Sequence, residues 1–263
     1  MDTTLYLKRI GFEGPVRNDY DTLKRLQHAH LSTVPYENLD ILAGKPLSYD
    51  AESLFRKIVT EHRGGYCFEL NGAFGWLLRE LGFELTDCMA RFLKNEKTIP
   101  MRRHHVLKVC CADGLFLCDV GVGMVNPIYP VRLDTLEVQQ IGGEQYRITH
   151  DEFLGTVLHQ CFEGEWDRFF SFTDEPQLDI DFIMPSFYCE KHPDSPFNKG
   201  DMLAIQTPFG GKHSVSGEIL TYWDENGKHK VTVEDAQARS QMLKTYFGIT
   251  IEDNTENREA VCD

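Results

Sequence analysis

The chain has 263 residues, 41% hydrophobic and 26% charged, with a formal net charge of -14. That length supports a sizeable core divided into two or three subdomains, and the negative balance excludes nucleic acid as a bulk partner, because backbone phosphates repel such a surface. No apolar run approaches the ~18 to 20 residues of a membrane span. Met1 to Asp19 interleaves Asp2, Lys8, Arg9 and Glu13 with its apolar positions, unlike a secretory signal. No membrane partner and a cytoplasmic location are therefore expected.

The first third reads helical. Asp19, Tyr20, Asp21 and Thr22 offer caps for a helix through about 27–31, and Pro35 marks its exit. Val34-Pro35-Tyr36-Glu37-Asn38-Leu39-Asp40 follows as a turn-like segment. Ser48 to Asp50 cap a second helix that carries Leu54, Ile58 and Val59 towards His62 and Arg63. In Arg63-Gly64-Gly65-Tyr66-Cys67-Phe68-Glu69-Leu70-Asn71 the glycines supply a tight turn and Cys67 opens a third helix. Leu70, Phe74, Leu77, Leu78 and Leu81 then recur at helical spacing until Gly82. A thiol at that position faces the positive end of the helix dipole, which predicts a lowered pKa and a nucleophilic thiolate.

After Gly82 the period changes. Residues 85–93, 104–111 and 115–120 read as strands, the last two joined by an Asp113-Gly114 hairpin. Segments 145–149, 156–160 and 166–172 continue a small antiparallel sheet or barrel. Residues 178–186 read as a helix limited by Pro185, and 192–197 as a rigid connection. Strands near 202–207 and 214–223, an Asn226-Gly227 hairpin to 230–232, and a helix over about 234–247 ended by Gly248 complete the pattern. The acidic tail after Ile251 reads as loose.

Eight cysteines, at 67, 88, 110, 111, 118, 161, 189 and 262, show no disulfide framework and read as free thiols. Cys110, Cys111 and Cys118 with the His104-His105 pair lack C-x-x-C or H-E-x-x-H spacing, so no metal is expected. A cysteine nucleophile needs a base, and the base an orienting acid. His104 and His105 are both candidate bases, and Asp119, in Cys118-Asp119-Val120-Gly121-Val122-Gly123, is the candidate acid. With Asp113-Gly114 as a two-residue turn, residue 108 lies opposite 119, and period two puts 104, 106 and 108 on the face of Asp119. Parity favours His104. It leaves an offset of about four residues, roughly 13 Å, for twist, a bulge or a bend at Gly121 to remove.

The Arg63 to Asn71 stretch, the His104-His105-Val106-Leu107-Lys108-Val109 strand and Asp119-Val120-Gly121-Val122-Gly123 together resemble the arylamine N-acetyltransferases, in the family's order. Val34 to Leu39 also looks like that family's N-terminal motif. The resemblance implies an α+β fold with a cysteine-protease-like core of Cys67, His104 and Asp119. A helical bundle over 1–83 would carry the nucleophile, an antiparallel β-barrel over 84–190 the histidine and aspartate, and an α/β lid would follow over 191–263. It implies a ping-pong reaction in which acetyl-CoA, a co-substrate, acylates Cys67, and an arylamine or arylhydrazine attacks the acetyl-Cys67 thioester. No tightly bound cofactor is expected.

On position alone, the backbone amides of Cys67 and Arg103 are candidate oxyanion donors. Phe92, Val122, Met124, Val125 and Phe197 resemble acceptor-pocket residues. The 207–214 stretch, with Thr207, Gly210, Lys212 and Ser214, looks like the one that approaches CoA. Glu37 and Arg63 are expected as a buried ion pair behind the site. Other readings share the same residues: a cysteine amidase, protease or transglutaminase-type enzyme, an amide synthase with a roomier cleft, or a silent binding protein with an unreactive Cys67. The sequence carries no signal of oligomeric state.

Overall fold

In the computed structural model, which describes residues 1–123, 125–207 and 211–251, the chain opens with α1 (Thr3–Arg9), capped by Asp2 and not foreseen from the sequence. α2 (Tyr20–Thr33) starts on Asp19, whose carboxylate accepts the Thr22 N–H at 2.9 Å. The segment expected as a turn holds a short strand, β1 (Tyr36–Glu37), and a one-turn helix, α3 (Leu39–Leu42). α4 (Ala51–Phe55), capped by Asp50, runs into a π-helical turn (Arg56–Thr60).

α5 (Cys67–Glu80) begins at the cysteine, as the spacing predicts. Its glycines serve close approach and not the tight turn expected. Neither Gly64 nor Gly65 has a positive φ. A Cβ on Gly64 would overlap the Pro35 carbonyl, and one on Gly65 would lie 2.8 Å from the Glu69 Cβ. Leu70, Phe74, Leu77 and Leu78 are fully buried, each contributing about 2 kcal/mol of transfer free energy.

Eight strands follow: β2 (Glu84–Phe92), β3 (His104–Cys111), β4 (Gly114–Cys118), β5 (Val131–Arg132), β6 (Gln139–Ile141), β7 (Glu144–Asp151), β8 (Gly155–Phe162) and β9 (Glu165–Phe172). They form one antiparallel sheet in the order β5-β4-β3-β2-β9-β8-β7-β6. The sheet curls almost shut, and a side chain bridges the gap. Gln139 accepts from the Arg132 N–H and donates to the Arg132 carbonyl, each at 2.8 Å. β5 and β6 carry no periodic signal in the sequence, because two and three residues are too few to show alternation.

The β3–β4 register pairs Cys111 with Gly114, so the turn is Ala112-Asp113, one step earlier than expected. Extending that register sets Val106 opposite Asp119. Parity is preserved, and the offset of His104 falls to two residues, roughly 7 Å. Along β3, Leu107, Val109 and Cys111 join the core shared with α5, whereas Val106 enters the barrel interior.

Beyond the barrel, a 3-10 turn (Asp179–Phe182) leads into α6 (Ile183–Lys191). Pro185 does not limit this helix, because its missing N–H falls in the first turn, where no intrahelical acceptor exists. A second 3-10 turn (Pro196–Asn198) precedes β10 (Met202–Gln206), β11 (Lys212–Ser216), β12 (Ile219–Asp224), β13 (Gly227–Thr232) and α7 (Ala236–Phe247). The single strand expected over 214–223 is broken at Gly217, where φ is 59°. β1 pairs with β10, giving a five-stranded sheet of order β1-β10-β11-β12-β13. α7 covers it through Leu243 and Phe247 and ends, as predicted, on left-handed Gly248. The fold is α+β: helices first, a nearly closed barrel next, then a sheet with its covering helix. The acidic tail lies outside the described residues. The seven described cysteines are free thiols, and among the described residues no helix is long and apolar enough to cross a membrane.

One buried group gives the fold a pH dependence. The ring of His30, on α2, meets the Tyr6 hydroxyl at 3.1 Å, and its Nδ1 has no partner. Burial, with Arg9 adding to it, pushes the imidazole down to about 3, against about 6.5 in an unfolded chain. Between those values the unfolded chain binds a proton that the native state refuses, so stability is full above the upper value and declines as the pH falls. Going from neutral pH to about 5 should cost about 2 kcal/mol. Urea unfolding of the parent and of His30→Leu at both pH values checks this; equal losses in the two proteins would remove His30 from the account.

Candidate active site

Cys67 is the first residue of α5 and is 3% exposed. Its Sγ donates to the Arg103 carbonyl at 3.9 Å, which sets the sulfur beside the start of β3. From the other side, Gly121 approaches so closely that a Cβ there would lie 2.6 Å from the Cys67 Cα and 2.7 Å from the Asn71 Nδ2. His104, the first residue of β3, meets Asp119 Oδ2 through its Nε2 at 2.6 Å. Asp119 Oδ1 accepts from Asn71 Nδ2 at 2.9 Å and from the Gly121 N–H at 2.7 Å. Asn126 holds the bend that follows, donating to the Asp119 carbonyl at 2.7 Å and accepting from the Val122 N–H at 2.8 Å.

Asn71, the last residue of the 63–71 motif, has no role that the sequence reveals. It donates to the His105 carbonyl at 2.7 Å as well as to Asp119, and its Oδ1 accepts from the Val120 N–H at 2.9 Å. The available signal was its spacing of four residues from Cys67, which places both on one helix face.

His105 points the opposite way. Its Nε2 meets Asp87 Oδ1 at 2.9 Å and its ring stacks on Phe182 at 4.2 Å, while Arg79 pairs with the same aspartate. The two adjacent histidines therefore serve different faces of β3. Among the described residues no group of three or more His, Cys, Asp and Glu is placed to hold a metal.

Burial pushes the Cys67 thiol well above its ordinary value, and Cys189 and Asp119 add to the push. Hydrogen bonds from the His105 and Phe68 backbone amides act against it. The lowering expected from the helix dipole does not win in this setting, because loss of hydration outweighs a partial charge. One candidate oxyanion donor is also corrected. The Arg103 N–H donates to the Ala90 carbonyl at 3.0 Å and is engaged in the β2–β3 pairing. The backbone amides that act on the sulfur are those of His105 and Phe68, which sequence alone could not single out.

The remaining predicted residues fall into separate groups. Phe92, Val122 and Val125 each pack against the barrel core, with the Phe92 ring edge-on to Phe169 at 5.6 Å. Phe197 packs in the helical core, edge-on to Tyr66 at 5.7 Å. Thr207 and Ser214 are buried, and the Thr207 hydroxyl donates to the Gly211 carbonyl and accepts from the Gly211 N–H, each at 3.1 Å. Lys212 is half-buried on β11, and burial lowers its pKa while the charge of Glu144 works to raise it. Met124 and Gly210 lie outside the described residues.

Behind the cysteine the expected pair is present, with Arg63 Nη2 to Glu37 Oε1 at 2.7 Å. Arg63 also reaches Asp40 at 3.2 Å, and Lys57 bridges Asp40 at 2.8 Å and Glu69 at 2.6 Å. The second oxygen of Glu69 accepts the Tyr66 N–H at 3.2 Å, so this network ends on the residue that precedes Cys67.

A family model described as N-acetyltransferase matches residues 19–256. The arylamine N-acetyltransferase of Mycolicibacterium smegmatis is 36% identical over 259 residues, spanning 96% of this chain and 94% of its own. That of Escherichia coli is 32% identical, over 94% and 89% of the two chains. Among solved structures, the enzyme from Salmonella typhimurium superposes with a TM-score of 0.89 at 28% identity, covering 97% of this chain and 93% of that one. The Mycobacterium marinum enzyme in complex with CoA gives 0.84 at 35% identity, over 94% and 93%. Fold and relatives define an acyltransferase. The chain belongs to the arylamine N-acetyltransferase family.

Gly121 offers a steric test of the site. A methyl group at this position must displace the first turn of α5, an overpacking expected to cost about 1–3 kcal/mol. Gly121→Ala should remain folded with a lowered melting temperature and lose transferase turnover by more than about tenfold, since misplacement of about 1 Å can cost about a hundredfold. Full turnover in the variant would show that the close approach is not needed.

Proposed function

We propose that the chain transfers the acetyl group of acetyl-CoA to the nitrogen of an arylamine or arylhydrazine through a thioester on Cys67, with His104 as base and Asp119 as its orienting acid. The observation that carries this reading is the 2.6 Å contact between His104 Nε2 and Asp119 Oδ2, joined to the helix of Cys67 by Asn71. With Nε2–H held by the carboxylate, Nδ1 is the ring nitrogen left to take a proton. A buried thiol ionises only if a cation forms beside it, and an imidazolium backed by Asp119 supplies one.

In the first half-reaction His104 takes the Cys67 proton as the sulfur bonds to the acetyl carbon. The C–S bond to CoA then breaks, and the proton returns with the departing CoA thiol. In the second, the amine attacks the acetyl-Cys67 carbonyl, His104 takes a proton from the attacking nitrogen, and Cys67 leaves as thiolate and is reprotonated. The His105, Phe68 and Cys67 amides are the candidate donors for the oxyanion in both. Phe92, Val122 and Val125, all on the barrel core, are the apolar candidates for an aromatic acceptor, with Phe197 beside Tyr66. Lys212 is the cation of the stretch proposed to meet CoA; Thr207 and Ser214, being buried, support its shape.

Mass spectrometry after brief exposure to acetyl-CoA should add one acetyl group to the parent and none to Cys67→Ala. His104→Gln should abolish that addition, whereas His105→Gln should leave most of it. The reverse result would transfer the role of base to the Asp87 side of β3.

Asp119→Asn tests the acid. Removing the carboxylate relieves its direct repulsion of the thiolate but also withdraws support from the imidazolium. Coulomb energy falls with distance, and His104 lies in contact with Asp119, so the second effect should dominate. The pH midpoint for iodoacetamide alkylation of Cys67 should rise, and acylation should slow by orders of magnitude. An unchanged profile in a folded variant would make Asp119 structural.

A further inference from the structure

A cavity of 580 Å³ lies between the 46–50 segment and the face formed by the 3-10 turn and α6. Its apolar walls are Leu47, Ile180, Ile183 and Phe187. The last three are 69%, 52% and 62% exposed, a stripe at helical spacing that the described residues leave uncovered. The volume is that of a small-molecule site. Among the described residues its charge is one-sided, since Asp50, Asp179 and Glu190 line it against Lys191.

The cavity is wired to the candidate active site. Tyr49, on its wall, bonds through its hydroxyl to Tyr66 OH at 2.9 Å and Glu190 Oε1 at 3.1 Å, and also contacts Ser186. Ser186 contacts Tyr66 and donates to Glu190 at 2.9 Å. Tyr66 and Ser186 are fully buried, and Tyr66 is the residue from which α5 and Cys67 begin.

We propose that this cavity is a second ligand site, separate from the acyl-transfer centre, that takes an organic ammonium ion with an aromatic or branched apolar body, and that its occupation alters Cys67 through Tyr49, Ser186 and Tyr66. The carboxylate excess repels a phosphate-bearing ligand such as CoA. It also opposes a second copy of this chain, which would bring the same acids together on a surface of net charge -14. An ammonium ion satisfies both features, with its charge near Glu190 and Asp179 and its body against Ile183 and Phe187. Binding does not depend on the function proposed above; only the effect on Cys67 does.

The probe is N,N,N-trimethyl-2-(1-naphthyl)ethylammonium, whose quaternary nitrogen cannot accept an acetyl group. Calorimetry with the full chain should show saturable binding of about one molecule per chain, weakened about tenfold when a neutral carbon replaces the nitrogen. Phe187→Ala and Asp179→Asn, both at exposed positions, should each weaken binding at least about threefold without changing transferase turnover. Cys67→Ser should bind as the parent does. Bound probe should change the iodoacetamide rate of Cys67 at least about twofold, and Tyr49→Phe should remove that change. Absence of saturation at millimolar probe, indifference to Phe187→Ala and Asp179→Asn, or loss of binding in Cys67→Ser would overturn the site; an unaltered Cys67 rate with probe bound would overturn the coupling. Probe binding in a protein that acetyl-CoA fails to acetylate would sink the proposed function and leave this site standing.

Discussion

One buried amide holds the candidate site together. Asn71 uses both donors and its acceptor to tie α5 to the carbonyl of His105, the carboxylate of Asp119 and the amide of Val120. Each bond contributes about 1 kcal/mol net, which is small beside the burial of the α5 leucines. Its consequence is geometric. Helix, strand and the bend after β4 come from distant parts of the chain, and this one side chain bonds to all three. Gly121 permits the approach by having no side chain to hold α5 off.

Behind that frame, five charged side chains fix where α5 begins. Burial opposes the charge on Lys57, yet Glu69, Glu37 and Asp40 around it keep it protonated above its ordinary range. Burial pushes the Glu69 carboxyl up even with Lys57 beside it. Buried ion pairs contribute little net stability, since desolvation consumes the Coulombic gain. Here they fix the path of the backbone: Glu37 caps the Leu39 N–H at 2.8 Å, and Glu69 caps that of Tyr66. The double glycine lies between these two caps, where any side chain would collide.

Periodicity and motif order carried much of this into the sequence. The apolar spacing of α5, its start at Cys67 and the strand parity of His104 follow from local rules, and the parity survived a turn placed one residue late because that shift moves both residues of a pair. What stayed hidden depended on three-dimensional closure. The Arg103 amide looked available until β2 arrived to accept it. The helix dipole alone predicts a lowered Cys67 pKa, whereas its direction is set by how much water the surrounding chain removes. β5 and β6 are too short to announce themselves, and Asn71 became meaningful only when β3 and the residues after β4 converged on it.

The pairing of β1 with β10 joins Tyr36 to Ala204, across about two thirds of the length of the chain. A parallel bridge links the same strand to Gly65, and Glu37 N–H donates to the Gly65 carbonyl at 2.8 Å. During synthesis from the N-terminus, α5 and the barrel can form while β1 still has an open edge. Loop closure between such remote segments is slow, so β10 docks late. The segment that leads into Cys67 is therefore braced on one side only until β10 has emerged, and the last strand system to assemble is the one that finishes the entrance to α5.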